Sequence, residues 1–131
     1  MPPQPEGSVS VDDGSLTLAL VTPKELGGSG GAGANPEQLF ACGYAACFLS
    51  ALLFISGRRK ISLSDDSKVT AQVGIGARAD GGGFGPDVGL SVSLPGLEPQ
   101  VAEDLLTEAH RVCPYSHPAR EGLDVRPNLT A

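Results

Sequence analysis

Cysteine is the residue type in this chain best suited to covalent chemistry, and it occurs three times, at Cys42, Cys47 and Cys113. An odd count does not make a secreted disulfide framework, and in a cytosolic chain cysteines are more often catalytic, metal-binding or simply buried. Cys47 falls within the apolar run Ala45-Ala46-Cys47-Phe48, where a small buried hydrophobe is the usual role. Cys113 lies where a helical pattern breaks at Pro114-Tyr115-Ser116, so its thiol can move with the backbone. One thiol on a rigid helix and a second at a distant helix break suit a peroxidatic and resolving pair. The first is oxidised to a sulfenic acid, and the second condenses with it to a disulfide. Cys42 precedes Cys47 by five positions, about 140° round a helix, and reads as packing.

The other reactive side chains have plainer readings. Glu37 sits where the first turn of a helix would be, an acid stabilised by the helix dipole. His110 and His117 flank Cys113, but no C-x-x-C or other close ligand pair accompanies them, so they read as surface or capping histidines rather than metal ligands. Glu103-Asp104 reads as the solvated face of a helix. Gly28, Gly30 and Gly33 match G-x-G-x-x-G, but the region about 20 residues on is the apolar Leu52-Leu53-Phe54 instead of an acidic residue. A mobile glycine loop over 27–33 is the expectation.

The element that must position Cys47 is the stretch from Asn35 to Gly57. Asn35 suits an N-cap, Pro36 the first helical position and Gln38 the capping-box partner, while Gly57 suits the stop, with Arg58, Arg59 and Lys60 beyond it. This predicts a helix of roughly 32 Å, apolar on nearly all sides and therefore buried. Its length matches a membrane span, but Glu37 and Gln38 lie in its first turn and Gly43 and Ser50 interrupt it, which favours a helix buried in protein. A chain of 131 residues is short for covering such a helix on every side, which suggests a second subunit.

Around that helix the pattern alternates. Residues 1–8 carry three prolines and read as a loosely held arm. Ser15–Val21 has leucine at alternate places, a strand, and Asp13-Gly14 before it reads as a hairpin turn from a short strand at Val9 and Val11. Lys68–Arg78 and Phe84–Leu94 alternate as a second hairpin around Asp80-Gly81-Gly82-Gly83. A helix follows from about Glu98 to Val112, with Val101, Ala102, Leu105, Leu106, Ala109 and Val112 as its apolar stripe. Ser116 reads as the cap of a short helix through Arg120, and Leu123–Arg126 as a final strand. The order predicts one α+β domain over residues 1–131 with a mostly antiparallel sheet.

The net charge of −6, with no basic stripe, argues against nucleic acid or an anionic membrane as a partner. The first residues, MPPQPEGSVSVDDG, have no apolar core of a signal peptide, which predicts a cytoplasmic protein.

Asn35-Pro36-Glu37-Gln38-Leu39-Phe40, Gly43-Tyr44-Ala45-Ala46-Cys47-Phe48 and Val112-Cys113-Pro114-Tyr115-Ser116 together resemble the organic hydroperoxide resistance (Ohr) proteins of the OsmC/Ohr superfamily. Pro23–Gly28 and the segment 122–126 extend the likeness, which covers about residues 12–126. The resemblance implies an intertwined homodimer with two long central helices and active sites at the subunit interface. It also implies a thiol peroxidase: Cys47 attacks an organic hydroperoxide, Cys113 resolves the sulfenate as a disulfide, and a dithiol, in this family a lipoylated protein, restores both thiols. No metal, haem or flavin is implied. Glu37 matches the family's active-site carboxylate. Ten residues separate it from Cys47, roughly 15 Å along one helix, so a shared site would take Glu37 from the other subunit.

The family pattern also includes an arginine in an N-terminal Gly-Gly-Arg loop, which pairs with the carboxylate and stabilises the thiolate. This sequence has Gln4-Pro5-Glu6 at the corresponding place and no arginine before Arg58. A buried thiol without a cation has a raised pKa and little reactivity. The alternative reading is therefore a non-catalytic homodimer that binds a hydrophobic ligand or a partner. Arg111, Arg120 and Arg126 are the candidate substitutes for that cation.

Overall fold

The structure, a computed structural model, describes residues 7–130. It divides into two compact units, one made of the chain up to Gly43 with Ala71–Leu90, the other of Tyr44–Thr70 with the chain from Ser91 onward.

In the first unit, β1 (Gly7–Ser10) pairs antiparallel with β2 (Thr17–Leu20), in a register that sets Val9 opposite Leu18. The Asp13 carboxylate accepts from the Ser15 N–H at 2.8 Å and the Gly14 N–H donates to Val11 O at 2.8 Å, which closes the expected turn. The β2 strand is shorter than the alternation predicts. Of the expected arm, Gly7 and Ser8 belong to β1, and the remaining residues lie outside the described part.

The glycine loop is more constrained than its composition suggests. It folds back on β2: Ala34 N–H donates to Ala19 O at 2.9 Å, and Gly30 N–H to Thr22 O at 3.2 Å. A Cβ on Gly28 would stand 2.2 Å from Thr22 O, an overlap no side chain tolerates. Glycine is required there by close backbone approach.

Helix α1 (Pro36–Arg58) has 23 residues. Its start forms the expected capping box: Gln38 N–H donates to Asn35 Oδ1 at 2.9 Å, and Asn35 N–H donates to Gln38 Oε1 at 3.1 Å. From Tyr44 onward the helix belongs to the second unit, and Tyr44, Phe48, Ala51, Leu52, Ile55 and Ser56 form its buried stripe. Its opposite face, with Leu53 at 54 % and Phe54 at 57 % exposure, lies open. By length and apolar content α1 meets the criteria of a membrane span.

The second hairpin, β3 (Lys68–Ala77) with β4 (Phe84–Ser93), runs through both units and is closed by the Arg78 N–H to Gly83 O bond at 2.8 Å. The chain is thus α+β with antiparallel pairing, but among the described residues the strands form two separate two-stranded sheets instead of one. The expected strand at Leu123–Arg126 is not formed. Leu123 and Val125 are exposed, and no strand edge within the described residues takes up their backbone groups.

In the second unit, α2 (Pro99–Val112) starts at Glu98, whose side chain accepts from the Gln100 N–H, and ends at Cys113. Leu105, Ala109 and Cys113, spaced by four, are its fully buried side chains, while Val112 falls off that line and is exposed. Arg59, just past α1, pairs with Glu108 on α2. Helix α3 (Ser116–Glu121) follows directly, with Tyr115 at its N-cap. Ser116 is therefore inside the helix, and its hydroxyl is used elsewhere.

Candidate active site

The second unit brings Cys47 and Cys113 together. Cys47 projects from the middle of α1 and is half-buried; Cys113 caps α2 and is fully buried. The Cys113 cap is held by its own N–H, which donates to Ala109 O at 2.8 Å, and by its carbonyl, which accepts from the His117 N–H at 3.0 Å. Phe48, Leu105 and Ala109 are buried in the same unit.

Burial pushes the Cys47 thiol up from its ordinary pKa, and Cys113 pushes it further, as a hydrogen-bond acceptor and as a second ionisable thiol; the Tyr115 backbone N–H pulls it down by donating to the Cys47 sulfur. None of the causes is a cation. The candidate substitutes are engaged elsewhere or remote from that role. Arg120 donates to His110 O at 2.7 Å and to Arg111 O at 3.4 Å, closing the C-terminal end of α2. Arg126 pairs with Asp124 at 3.2 Å on the surface, and Arg111 is exposed.

A raised thiol is less ionised at neutral pH, and only the thiolate is alkylated quickly. Alkylation of Cys47 by iodoacetamide should therefore keep rising with pH beyond about 8.5, where an ordinary cysteine is half ionised. Peptide mapping at each pH separates Cys47 from Cys42, and a Cys47 profile that levels off below that range would contradict the geometry. The same shift makes the folded state favour the protonated thiol, so this contribution to stability is full below the unfolded pKa and is lost as pH rises through the folded one.

Three further side chains form a linked group in the same unit. The buried Ser116 hydroxyl lies 2.7 Å from Tyr44 Oη and 2.9 Å from His110 Nδ1. The Tyr44 and Tyr115 rings meet at 5.7 Å, and the Phe48 and His110 rings at 6.5 Å. His110 is exposed, in keeping with the surface role that the sequence suggests, and its ring reaches the buried Ser116 hydroxyl, a link to Tyr44 that sequence reasoning missed. The available signal was positional: Tyr44 precedes Cys47 by three residues and His110 precedes Cys113 by three, the spacing of side chains on one helix face. Among the described residues no cluster of His, Cys, Asp and Glu fits a metal ion.

Glu37 and Cys42 are not among this group. Both belong to the first unit. Glu37 is half-buried beside a cavity of about 440 Å³ that Pro23, Glu25, Gln38 and the β3 residues Val73 and Ile75 also line. Cys42 is exposed on α1, so the packing role expected for it is not met within the described residues: five positions from Cys47 it faces away from the buried stripe.

The long apolar helix that carries Cys47 and the helix break that carries Cys113 are set in an α+β fold, and the comparisons identify its family. The family model described as OsmC-like protein matches residues 28–128. The organic hydroperoxide resistance protein of Xanthomonas axonopodis pv. citri is 44 % identical over 120 residues, covering 92 % of this chain and 83 % of that protein. The crystal structure of an organic hydroperoxide resistance protein from Elizabethkingia anophelis superposes with a TM-score of 0.82 at 46 % identity, over 88 % of this chain and 81 % of that one. That of the organic hydroperoxide resistance protein OhrB of Bacillus subtilis superposes with a TM-score of 0.79 at 37 % identity, over 95 % and 92 %. The chain belongs to the OsmC/Ohr family, and several of the similar relatives carry the Ohr name.

Proposed function

We propose that the chain is a cysteine-based peroxidase acting in organic hydroperoxide resistance. The observation that carries this reading is that Cys47 and Cys113, from helices distant in sequence, come close enough for Cys113 to raise the Cys47 thiol. The Cys47 thiolate attacks the terminal oxygen of R–O–O–H. An S–O bond forms, the O–O bond breaks, and the alkoxide leaves as the alcohol after taking a proton. The Cys113 sulfur then attacks Cys47; the S–S bond forms, the S–O bond breaks, and the hydroxyl leaves as water with the Cys113 proton. A dithiol of the lipoyl type reduces the disulfide and is itself oxidised to its own disulfide.

The working unit in this reading is a cytoplasmic homodimer. The open α1 face with Leu53 and Phe54 supports it, being an apolar surface that a second copy would cover. Packing two α1 helices antiparallel would bring Glu37 of one protomer toward Cys47 of the other, across the span that separates them within one chain.

The decisive experiment is thiol loss in the reduced protein on adding cumene hydroperoxide. The parent should lose two thiols rapidly, and Cys47→Ser none. An inert parent would favour the second reading, supported by the upward shift of Cys47: a homodimer of the same fold that binds a hydrophobic ligand or a partner without turning over peroxide.

A further inference from the structure

Ser116 is the one fully buried hydroxyl among the largest buried side chains, and it is not used by its own helix. Its oxygen bridges Tyr44 and His110, at 2.7 and 2.9 Å. Tyr44 is one helical turn before Cys47 on α1, and His110 is one turn before Cys113 on α2. One hydroxyl therefore links the two helix turns that carry the two thiols. A serine hydroxyl has one hydrogen and two lone pairs, so it can satisfy both partners together.

The linkage has the right place to control a disulfide. Bridging two cysteines requires Cβ atoms about 3.5–4.5 Å apart, and deviations are stored as strain. Two helix faces that breathe relative to each other would lower the share of time spent at that spacing. Ser116 lies three residues after Cys113, in the corner where α2 passes into α3. Its contacts tie that corner to α1 through Tyr44 and back to α2 through His110. The same corner presents the Tyr115 N–H to the Cys47 sulfur.

We propose that Ser116 is a positioning residue for the Cys47–Cys113 disulfide, holding the two cysteine-bearing turns at bonding distance through Tyr44 and His110. This rests on reading the two thiols as a redox couple, and adds the residue that sets how readily the couple closes. Without the clamp the thiols remain, but the effective concentration of one for the other falls.

The test uses no peroxide. In a Cys42→Ser background, the reduced parent, Ser116→Ala, Tyr44→Phe and the double variant are equilibrated with mixtures of reduced and oxidised dithiothreitol. The Cys47–Cys113 disulfide is then counted by thiol labelling and mass spectrometry. Each protein thiol pair loses two hydrogens to the oxidised dithiothreitol, which becomes the dithiol. Losing one clamp hydrogen bond should lower the equilibrium constant for disulfide formation about tenfold. The double variant should fall no further than the weaker single, because both cut one linkage. A purely structural role would lower the melting temperature and leave that constant unchanged. A constant within twofold of the parent in Ser116→Ala overturns the proposal. Should Ser116→Ala not fold, Tyr44→Phe, which removes a single oxygen, decides in the same way. A parent that forms no Cys47–Cys113 disulfide at any dithiothreitol ratio also overturns it. Inertness toward cumene hydroperoxide, by contrast, would count only against the peroxidase reading.

Discussion

Cys113→Ser should consume a single equivalent of organic hydroperoxide and then stop. The first oxidation uses only Cys47, and the substitution removes the Cys113 sulfur, whose hydrogen-bonding and charge influences both raise the Cys47 thiol. The initial rate at neutral pH should therefore match or exceed the parent's. Resolution is a different matter. In the parent the attacking thiol is fully buried beside its target, and an oriented intramolecular group acts at an effective concentration far above any free thiol. Steady turnover with a dithiol should drop by about a hundredfold or more. The variant should accumulate a Cys47 sulfenic acid that dimedone traps, and with excess hydroperoxide it should proceed to the sulfinic acid. Full turnover accompanied by a Cys42–Cys47 disulfide would reassign the resolving role.

The second large effect concerns assembly. Leu53 is 54 % exposed and Phe54 57 % exposed, on the side of α1 opposite its buried stripe. An acid at Leu53 is solvated in the lone chain and should hardly disturb its folding. In a dimer closed over this face the same carboxylate would be buried without a partner. Removing a central apolar anchor costs about 2–4 kcal/mol, and a stranded charge adds to that. Leu53→Asp should then weaken the dimer by at least about thirtyfold, seen by sedimentation velocity over a concentration series. A parent that is already monomeric at micromolar concentration would remove the dimer from the proposed function. If Glu37 acts across the interface, hydroperoxide turnover should fall in step with the loss of dimer.

Much of this was legible in the chain. The limits of α1 and α2 followed from Asn35, Pro36, Gln38, Glu98 and Pro114, because caps and proline act within a few residues of themselves. The hairpins followed from period-two alternation and the glycine turns for the same reason. Local rules failed where the deciding partner was distant. Leu123–Arg126 alternates as a strand should, yet a strand needs an edge to pair with, and the described residues offer none there. Ser116 has the local signature of a cap, but the Tyr44 hydroxyl, 72 residues away in sequence, claims its side chain.

The sequence by itself determined the family, the long apolar helix and the choice of Cys47 and Cys113, since residue type and spacing are properties of the chain. The tertiary structure alone decided that the two thiols lie near enough for one to raise the other, and that the Tyr115 backbone lowers Cys47 in turn. It also decided that the buried Tyr44–Ser116 pair, extended to the exposed His110, ties their helices together. Those features depend on how α1, α2 and α3 meet. Side-chain packing sets such meetings over tens of residues, and no local pattern encodes them.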